Sequence, residues 1–337
     1  MLISPAVLFT VREKENNMRK LITALIVTAL IASIASCKPA DTQDIPDSQN
    51  TQGPQDTSDP QGNTPIVPPP YAFVFTLENM PVIDGSTATI PLIEAVYSVL
   101  LGIPRVDAAL MVNTSGTDNA YDNLLWGRAD ILLVYSPSPF TLENAKNNEI
   151  ELEMVPIGRD GLVFLVNNAN PVRSLTPEQL VSIYSGRTRN WSDVGGENVE
   201  IKAFQRPFRS GSQTMMDDLV MRGVPMAETE AEYVIGEMGG LIEAVAMFDN
   251  AHSAIGYNVY YFVSRMEMNE NVSMLAIEGV EPSTQSISDG SYPFVSDFYA
   301  VIRKDTPEDS PARILYNWIQ TTDGQNLVRH EGYATAG

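Results

Sequence analysis

The chain has 337 residues and a net charge of −21, with 44% hydrophobic and 19% charged residues. That length predicts about two globular units, and the composition suits a globular protein. The acidic balance excludes a basic nucleic-acid face and electrostatic adsorption to anionic lipid. One cysteine, Cys37, excludes a disulfide framework, and two histidines, His252 and His330, leave little from which to build a metal centre. No cofactor is expected.

From the N-terminus, Met18 to Cys37 reads "MRKLITALIVTALIASIASC": a basic start, an apolar run and small residues before the cysteine. This is the layout of a secretory signal, too short and wrongly flanked for a comfortable transmembrane span. Its "IASC" end resembles a bacterial lipobox, which makes Cys37 the expected lipidation site and residues 18–36 the expected signal peptide. Residues 1–17 then form an extension ahead of the true start at Met18. Residues 37–71 are rich in Pro, Gln and Asp and nearly free of large apolar side chains, so a flexible tether is expected there.

The globular pattern begins at "YAFVFTL" (71–77), read as a strand, followed by a turn at "IDGSTAT" and a helix through "IPLIEAVYSVLLG". Next come "ALMVN" (109–113) as a strand, "TDNAYDNLLWGR" as a helix, and "ADILLVY" (129–135) and "GLVFLVN" (161–167) as strands. Thr176, Pro177 and Gln179 predict a capping box opening the helix "LTPEQLVSIYSG". "IKAFQ" (201–205) is read as a strand, "GGLIEAVAMF" as a helix, and "SAIGYNVYYFV" and "FYAVIRK" as strands. "SPARILYNWIQ" and "TDGQNLVRHEGY" close the chain as helices. The alternation predicts an α/β fold with mostly parallel sheets.

Three expected strand-to-helix junctions are rich in hydroxyls: "DGSTAT" (84–89), "NTSGT" (113–117) and "SGSQT" (210–214). In open α/β sheets ligands bind at such junctions. A helix start offers unpaired N–H groups and the positive end of the macrodipole, so the expected ligand is an anion. Ser210, Ser212 and Thr214 add hydroxyl donors, and Arg206 or Arg209 can fork to an oxyanion. The chain carries no GxGxxG, Walker A or GxSxG motif, and neither histidine stands in a catalytic context, so binding rather than catalysis is expected.

As an ordered set, "DGSTATIPL", "NTSGTDNAYDNLLWGRADI", "LTPEQLVSIYSGRTRNWSDVGG", "QRPFRSGSQT", "SAIGYNVYYFV", "SISDGSYPF" and "WIQTTDGQNLVRHEGY" resemble the phosphate-binding lipoproteins of phosphate-specific ABC transporters, within the periplasmic binding protein superfamily. The resemblance implies an α/β, two-lobed periplasmic-binding-protein fold of type II that closes about a hinge. One lobe would take 72–160 with 256–337, the other 161–255. It implies ligand contacts from Ser86, Thr87 and Ala88, from Thr117 with Ser115 beside it, and from Arg206, Ser210, Gly211 and Ser212, with Arg209 on the rim. It implies a monomer that binds phosphate or a related oxyanion and partners ABC permease subunits, lipid-anchored outside the cytoplasmic membrane. A cell-surface sensor or adhesin on the same scaffold is the alternative. Tyr135 stands where family members place an aspartate that accepts phosphate's proton, so Tyr135 is expected at the ligand and discrimination against sulfate is expected to be weaker. Asp84 and Asp118 are the next candidates for an acceptor.

Overall fold

Strand β1 (Ile83–Gly85) lies at one edge of a seven-stranded mixed sheet, and its three residues are buried. In this computed structural model residues 73–248 and 252–335 are described, all within one compact unit. The signal, Cys37 and tether expectations lie outside the described residues. After β1 come a single 3-10 turn (Thr87–Thr89), α1 (Ile90–Leu101), the short α2 (Arg105–Ala109), α3 (Thr117–Leu125), β2 (Ile131–Tyr135) and α4 (Pro139–Asn147). The long β3 (Leu152–Asn167) leads to β4 (Ser174–Leu175), α5 (Pro177–Tyr184), β5 (Lys202–Ala203), α6 (Gly211–Met215) and α7 (Met238–Met247). The chain ends with β6 (Ala254–Val259), β7 (Val272–Met274), β8 (Ala276–Ile277), α8 (Thr284–Ser288), β9 (Val295–Arg303), α9 (Pro311–Ile319) and α10 (Thr322–His330).

The sheet order is β1-β2-β9-β3-β6-β5, with β7 also on β3. Strand β3 joins two half-sheets. Its first part, to Gly161, pairs with β9, and from Leu162 it pairs with β6. A register shift between Pro156 and Gly158 bends it on the way. Parallel pairing occurs at the outer edges, β1 with β2 and β5 with β6, whereas every contact of β3 and β9 is antiparallel. The expectation of mostly parallel sheets is therefore corrected: the two strands that run back through the middle set the sense of the sheet. β6 and β7 pair with the second part of β3, and β8 with β4. Of the strands after residue 253, β6 and β7 extend the second half-sheet, β9 joins the first, and β8 belongs with β4 to a separate two-stranded sheet.

Helices cover both faces. The larger apolar cluster includes Leu92, Ile93, Phe164, Trp191, Tyr257 and Phe298, and a smaller one packs Tyr121, Leu124, Leu132 and Val301 on the other side. The capping box forms as expected, with Thr176 and Gln179 exchanging bonds at 3.2 and 2.8 Å. Two expected strands do not form. Of "YAFVFTL", the described residues are irregular with Val74 and Leu77 exposed, and the strand lies at Ile83–Gly85, which the pattern assigned to a turn. "ALMVN" follows Pro104 as the end of α2, where Leu110 is 84% exposed and faces no partner strand. In "SAIGYNVYYFV" the strand stops at Val259 and a helical turn follows. Local apolar content proposes a strand, but only a neighbouring backbone edge completes one.

Candidate functional site

Three helix starts meet in one cleft of about 370 Å³. At the first, β1 delivers Ser86 as N-cap of the turn that opens α1. The Ser86 hydroxyl does not cap; it sits 2.9 Å from Thr117 Oγ1 and accepts from the Tyr135 N–H at 3.3 Å. At the second, Gly116 precedes α3 with φ of 82°, a left-handed conformation that favours glycine, and its N–H donates to the Gly85 carbonyl at 3.1 Å. Asp84 ties the two junctions together. Its Oδ1 accepts from the N–H groups of Gly85 and Ser115 at 2.7 and 2.8 Å, and its Oδ2 from Asn123 at 2.8 Å. At the third, Ser210 caps α6 by accepting from the Gln213 N–H at 3.2 Å. A Cβ added at Gly211 would lie 2.4 Å from Thr117 Oγ1, so the third start is pressed against the second.

Arg206 lies beneath these starts with 7% of its surface exposed. Its Nε donates to Ser212 Oγ at 3.3 Å, its Nη1 to the Ile235 carbonyl at 2.8 Å, and its backbone N–H to Tyr257 Oη at 2.9 Å. Among the described residues it forms no salt bridge. Burial lowers its pKa, with the charges of Tyr257 and Glu237 opposing. A buried cation bonded only to neutral oxygens is held for an anion that arrives from outside. Three helix starts, several hydroxyls and this guanidinium can replace the hydration of a small oxyanion.

Ser86, Thr87, Ser115, Thr117, Tyr135, Arg206, Ser210, Gly211 and Ser212 all line the cleft; Ala88 is fully buried behind it. Tyr135 lines it with 2% exposure, yet its hydroxyl donates to Asp160 Oδ2 at 2.6 Å and its ring packs 6.0 Å from that of Phe298. The hydroxyl's proton is thus committed to the middle of β3. Neither Asp84 nor Asp118 lines the cleft. Asp118 is fully buried and accepts from the Ser138 N–H at 3.1 Å and from the Ser138 hydroxyl. Both of these proposed acceptors are therefore corrected to structural carboxylates. Sequence reasoning missed Asn119 and Glu237, which also line the cleft. Glu237 immediately precedes α7, a helix that the sequence pattern placed without marking its start as a ligand junction.

Arg209 does more than sit on the rim. Its Nη2 bonds Asp122 Oδ2 at 2.5 Å, its Nε lies 3.7 Å from Asp118 Oδ2, and its guanidinium stands 5.5 Å over the Phe140 ring. Phe140 in turn meets Phe208 edge-on at 6.2 Å. This clasp joins the loop before α6 to α3 and α4 across the cleft mouth. The Arg209 side chain is 36% exposed, so solvent screens the pair. Arg209→Ala is expected to weaken ligand binding by less than about fivefold, mainly through faster release, as for other exposed ion pairs. Stopped-flow release rates check this; a loss matching that of Arg206→Ala would make Arg209 the ligand-bearing cation. Gly211→Ala is expected to be more harmful, since its methyl meets Thr117 and holds the starts apart. An overpacking cost of about 1–3 kcal/mol corresponds to roughly 5- to 150-fold in affinity. Calorimetry would read this, and unchanged affinity would show that the two starts need not touch in the bound form.

Among the described residues no group of histidine, cysteine and carboxylate side chains is arranged to hold a metal ion, and no helix is long and apolar enough to cross a membrane. His252 lies outside the cleft, with Nδ1 3.0 Å from Glu197 Oε2, and His330 ends α10.

Residues 79–320 match the model of the PBP superfamily domain. The phosphate-binding protein PstS of Borreliella burgdorferi is 21% identical over 179 residues, covering 52% of this chain and 62% of that protein. The protein of the same name from Staphylococcus saprophyticus is 27% identical over 222 residues, covering 64% of this chain and 67% of its own length. The chain thus spans about two thirds or less of these two relatives. An ABC-type phosphate transport receptor from Vibrio cholerae shares the fold with a TM-score of 0.55 at 23% identity, covering 75% of this chain and 99% of that one.

Proposed function

This chain belongs to the PBP superfamily, and on that premise we propose that it is an extracytoplasmic solute-binding protein that captures phosphate and delivers it to an ABC permease. The observation that carries the reading is Arg206: a buried guanidinium without a carboxylate partner, set where three helix starts converge. The relatives named for phosphate binding support the choice of ligand. The role in this reading is capture without turnover, supported by the bonds of the lining hydroxyls of Ser86, Ser115, Thr117, Ser210 and Ser212, which run to one another, to an amide and to Arg206 rather than to a base.

In this reading Ser86, Thr87, Ser115, Thr117, Ser210, Gly211 and Ser212 donate to the anion, with the N–H of Ala88 beside them, and Tyr135 lines its chamber. The half-sheets act as two lobes that close over it, bending where β3 passes from β9 to β6. Cys37 carries the lipid, and residues 37–71 let the monomer reach its permease. The acidic surface repels anions at long range, so capture relies on the local field of the helix starts and Arg206. Titration calorimetry of the protein with phosphate tests the reading. A 1:1 exothermic isotherm at micromolar or tighter affinity is expected; no heat with phosphate, but heat with another oxyanion, would reassign the ligand.

A further inference from the structure

A phosphate ion takes the space of a few waters of about 30 Å³ each, whereas the cleft measures about 370 Å³. Its lining is of two kinds. The hydroxyls and N–H groups of the three helix starts, with Arg206, suit the terminal oxygens of a phosphoryl group. Pro207, Met238 and Val259 bring apolar surface instead. The Asn258 side chain donates to the Met238 carbonyl at 3.0 Å, which sets Met238 close to Val259. Arg206 donates to the Ile235 carbonyl at 2.8 Å, which ties the same loop to the guanidinium. Gly236 and Glu237, between Ile235 and Met238, are exposed, so the cleft opens to solvent at this loop.

Among the described residues that line the cleft, Glu237 carries the only carboxylate. It is the N-cap residue of α7, yet its side chain makes no capping bond, and among the described residues it forms no salt bridge. Arg209, the other cation of the lining, is held by Asp122. The chamber thus carries a buried cation and, on its exposed side, a carboxylate that is not paired with it. Toward free phosphate that carboxylate is only repulsive, and it becomes attractive when the ligand brings a positive charge of its own. We propose that the site also takes a short zwitterionic phosphate monoester, an alkyl phosphate bearing an ammonium group, with the phosphoryl at Arg206 and the ammonium at Glu237; the inference rests on the phosphoryl site of the reading above. The terminal oxygens take the place described for phosphate. The ester oxygen leads toward the loop 235–238, and the alkyl chain covers Met238 and Val259. Such an ester loses its last phosphoryl proton near about pH 6 while its amine stays protonated, so both charges are present at neutral pH.

The test is calorimetry of the wild-type protein, Glu237→Gln and Glu228→Gln with inorganic phosphate, O-phosphorylethanolamine and ethyl phosphate, at neutral pH and one ionic strength. The two esters differ only in the amine. Glu228 is exposed and lies outside the cleft lining, so its variant removes an equal charge without touching the site. Wild type and Glu228→Gln are expected to bind phosphorylethanolamine at least about fivefold more tightly than ethyl phosphate, on the scale of a charge-assisted contact at a partly exposed site. In Glu237→Gln, whose amide keeps the shape and carries no charge, the two esters should come within about twofold of each other. Wild-type protein that binds phosphate but neither ester, or both esters alike, overturns the inference and leaves the phosphate reading standing. A preference that persists in Glu237→Gln, or that falls equally in Glu228→Gln, overturns it too, since the amine then answers to another group or to the net charge. Ester binding with the expected preference but no phosphate binding refutes the phosphate reading alone, and a protein that binds none of the three refutes both.

Discussion

Arg206→Ala is expected to abolish most phosphate affinity while leaving the protein folded. Removing one partner of a buried, charge-assisted pair costs about 2–5 kcal/mol, which is on the order of 30- to 4,000-fold in the dissociation constant. The surroundings of Arg206 supply the second half of the expectation. Arg206 is buried against neutral oxygens, and burial disfavours its charged form. The truncated protein should therefore unfold no more easily than wild type without ligand, and it should lose the thermal stabilisation that phosphate confers. Thermal unfolding with and without phosphate, beside calorimetry, reads both effects. Arg206→Lys should recover only part of the affinity, because an ammonium cannot fork to two oxygens. An alanine variant that keeps wild-type affinity would remove the observation on which the functional reading stands.

Asp160→Asn is expected to stabilise the protein at neutral pH and to do so only above mildly acidic pH. Burial pushes the Asp160 carboxyl up to about 6 from an ordinary 3.8, although bonds from Tyr135, Tyr261 and Gly161 pull the other way. In the unfolded chain the group loses its proton near 4, so between about pH 4 and 6 the folded state holds a proton that the unfolded state has released. Stability from this group therefore falls as pH rises through that window and is level on either side. About two pKa units correspond to about 3 kcal/mol at pH 7. Asparagine keeps the geometry: its oxygen can accept from Gly161 and Tyr261, which both bond Oδ1, and its amide can donate to the Tyr135 hydroxyl. Urea denaturation from pH 4 to 8 should show the variant and wild type converging at the acid end and separating by up to about 3 kcal/mol at pH 7. A difference that does not vary with pH would show that Asp160 ionises as an ordinary carboxyl.

The positions of Asp160 and Arg206 explain why these two variants should separate function from stability. Asp160 sits in β3 just before the strand changes partner, and it binds Tyr135 at the end of β2 and Tyr261 just past β6. Tyr261 stacks on Tyr333 at 3.7 Å, which brings the end of the chain to the same point. The bonds to Asp160 join β2, β3 and the turn after β6 at one buried point, so its substitution acts on stability, whereas Arg206 lines the cleft. The clasp of Arg209 on Asp122, with Phe140 against Phe208, acts at the mouth and so tunes release more than recognition.

Local chemistry in the sequence was enough to mark the three hydroxyl-rich helix starts, the Thr176 capping box and Arg206, because N-caps, oxyanion cradles and buried strands such as Ile131–Tyr135 leave short-range signatures. Charge and residue type likewise set the expectation of an acidic binding protein, since they need no fold to be counted. The sense of the sheet was not legible there: β3 and β9 pair residues 134 to 151 positions apart, and a strand's direction is fixed by its neighbour, not by its own residues. The roles of the acids were hidden for the same reason. Asp84, Asp118 and Asp160 look alike along the chain, yet each is spent on backbone and hydroxyl donors brought from other elements, while Glu237, unmarked in sequence, is left facing the cleft. Tyr135 stands at the position where resemblance placed a ligand-facing acid, but only the pairing of β2 with β9, itself beside β3, decided that its hydroxyl turns to Asp160. Residue type sets what a side chain can donate or accept; which partner it meets is decided by long-range pairing, which no local window of the sequence contains.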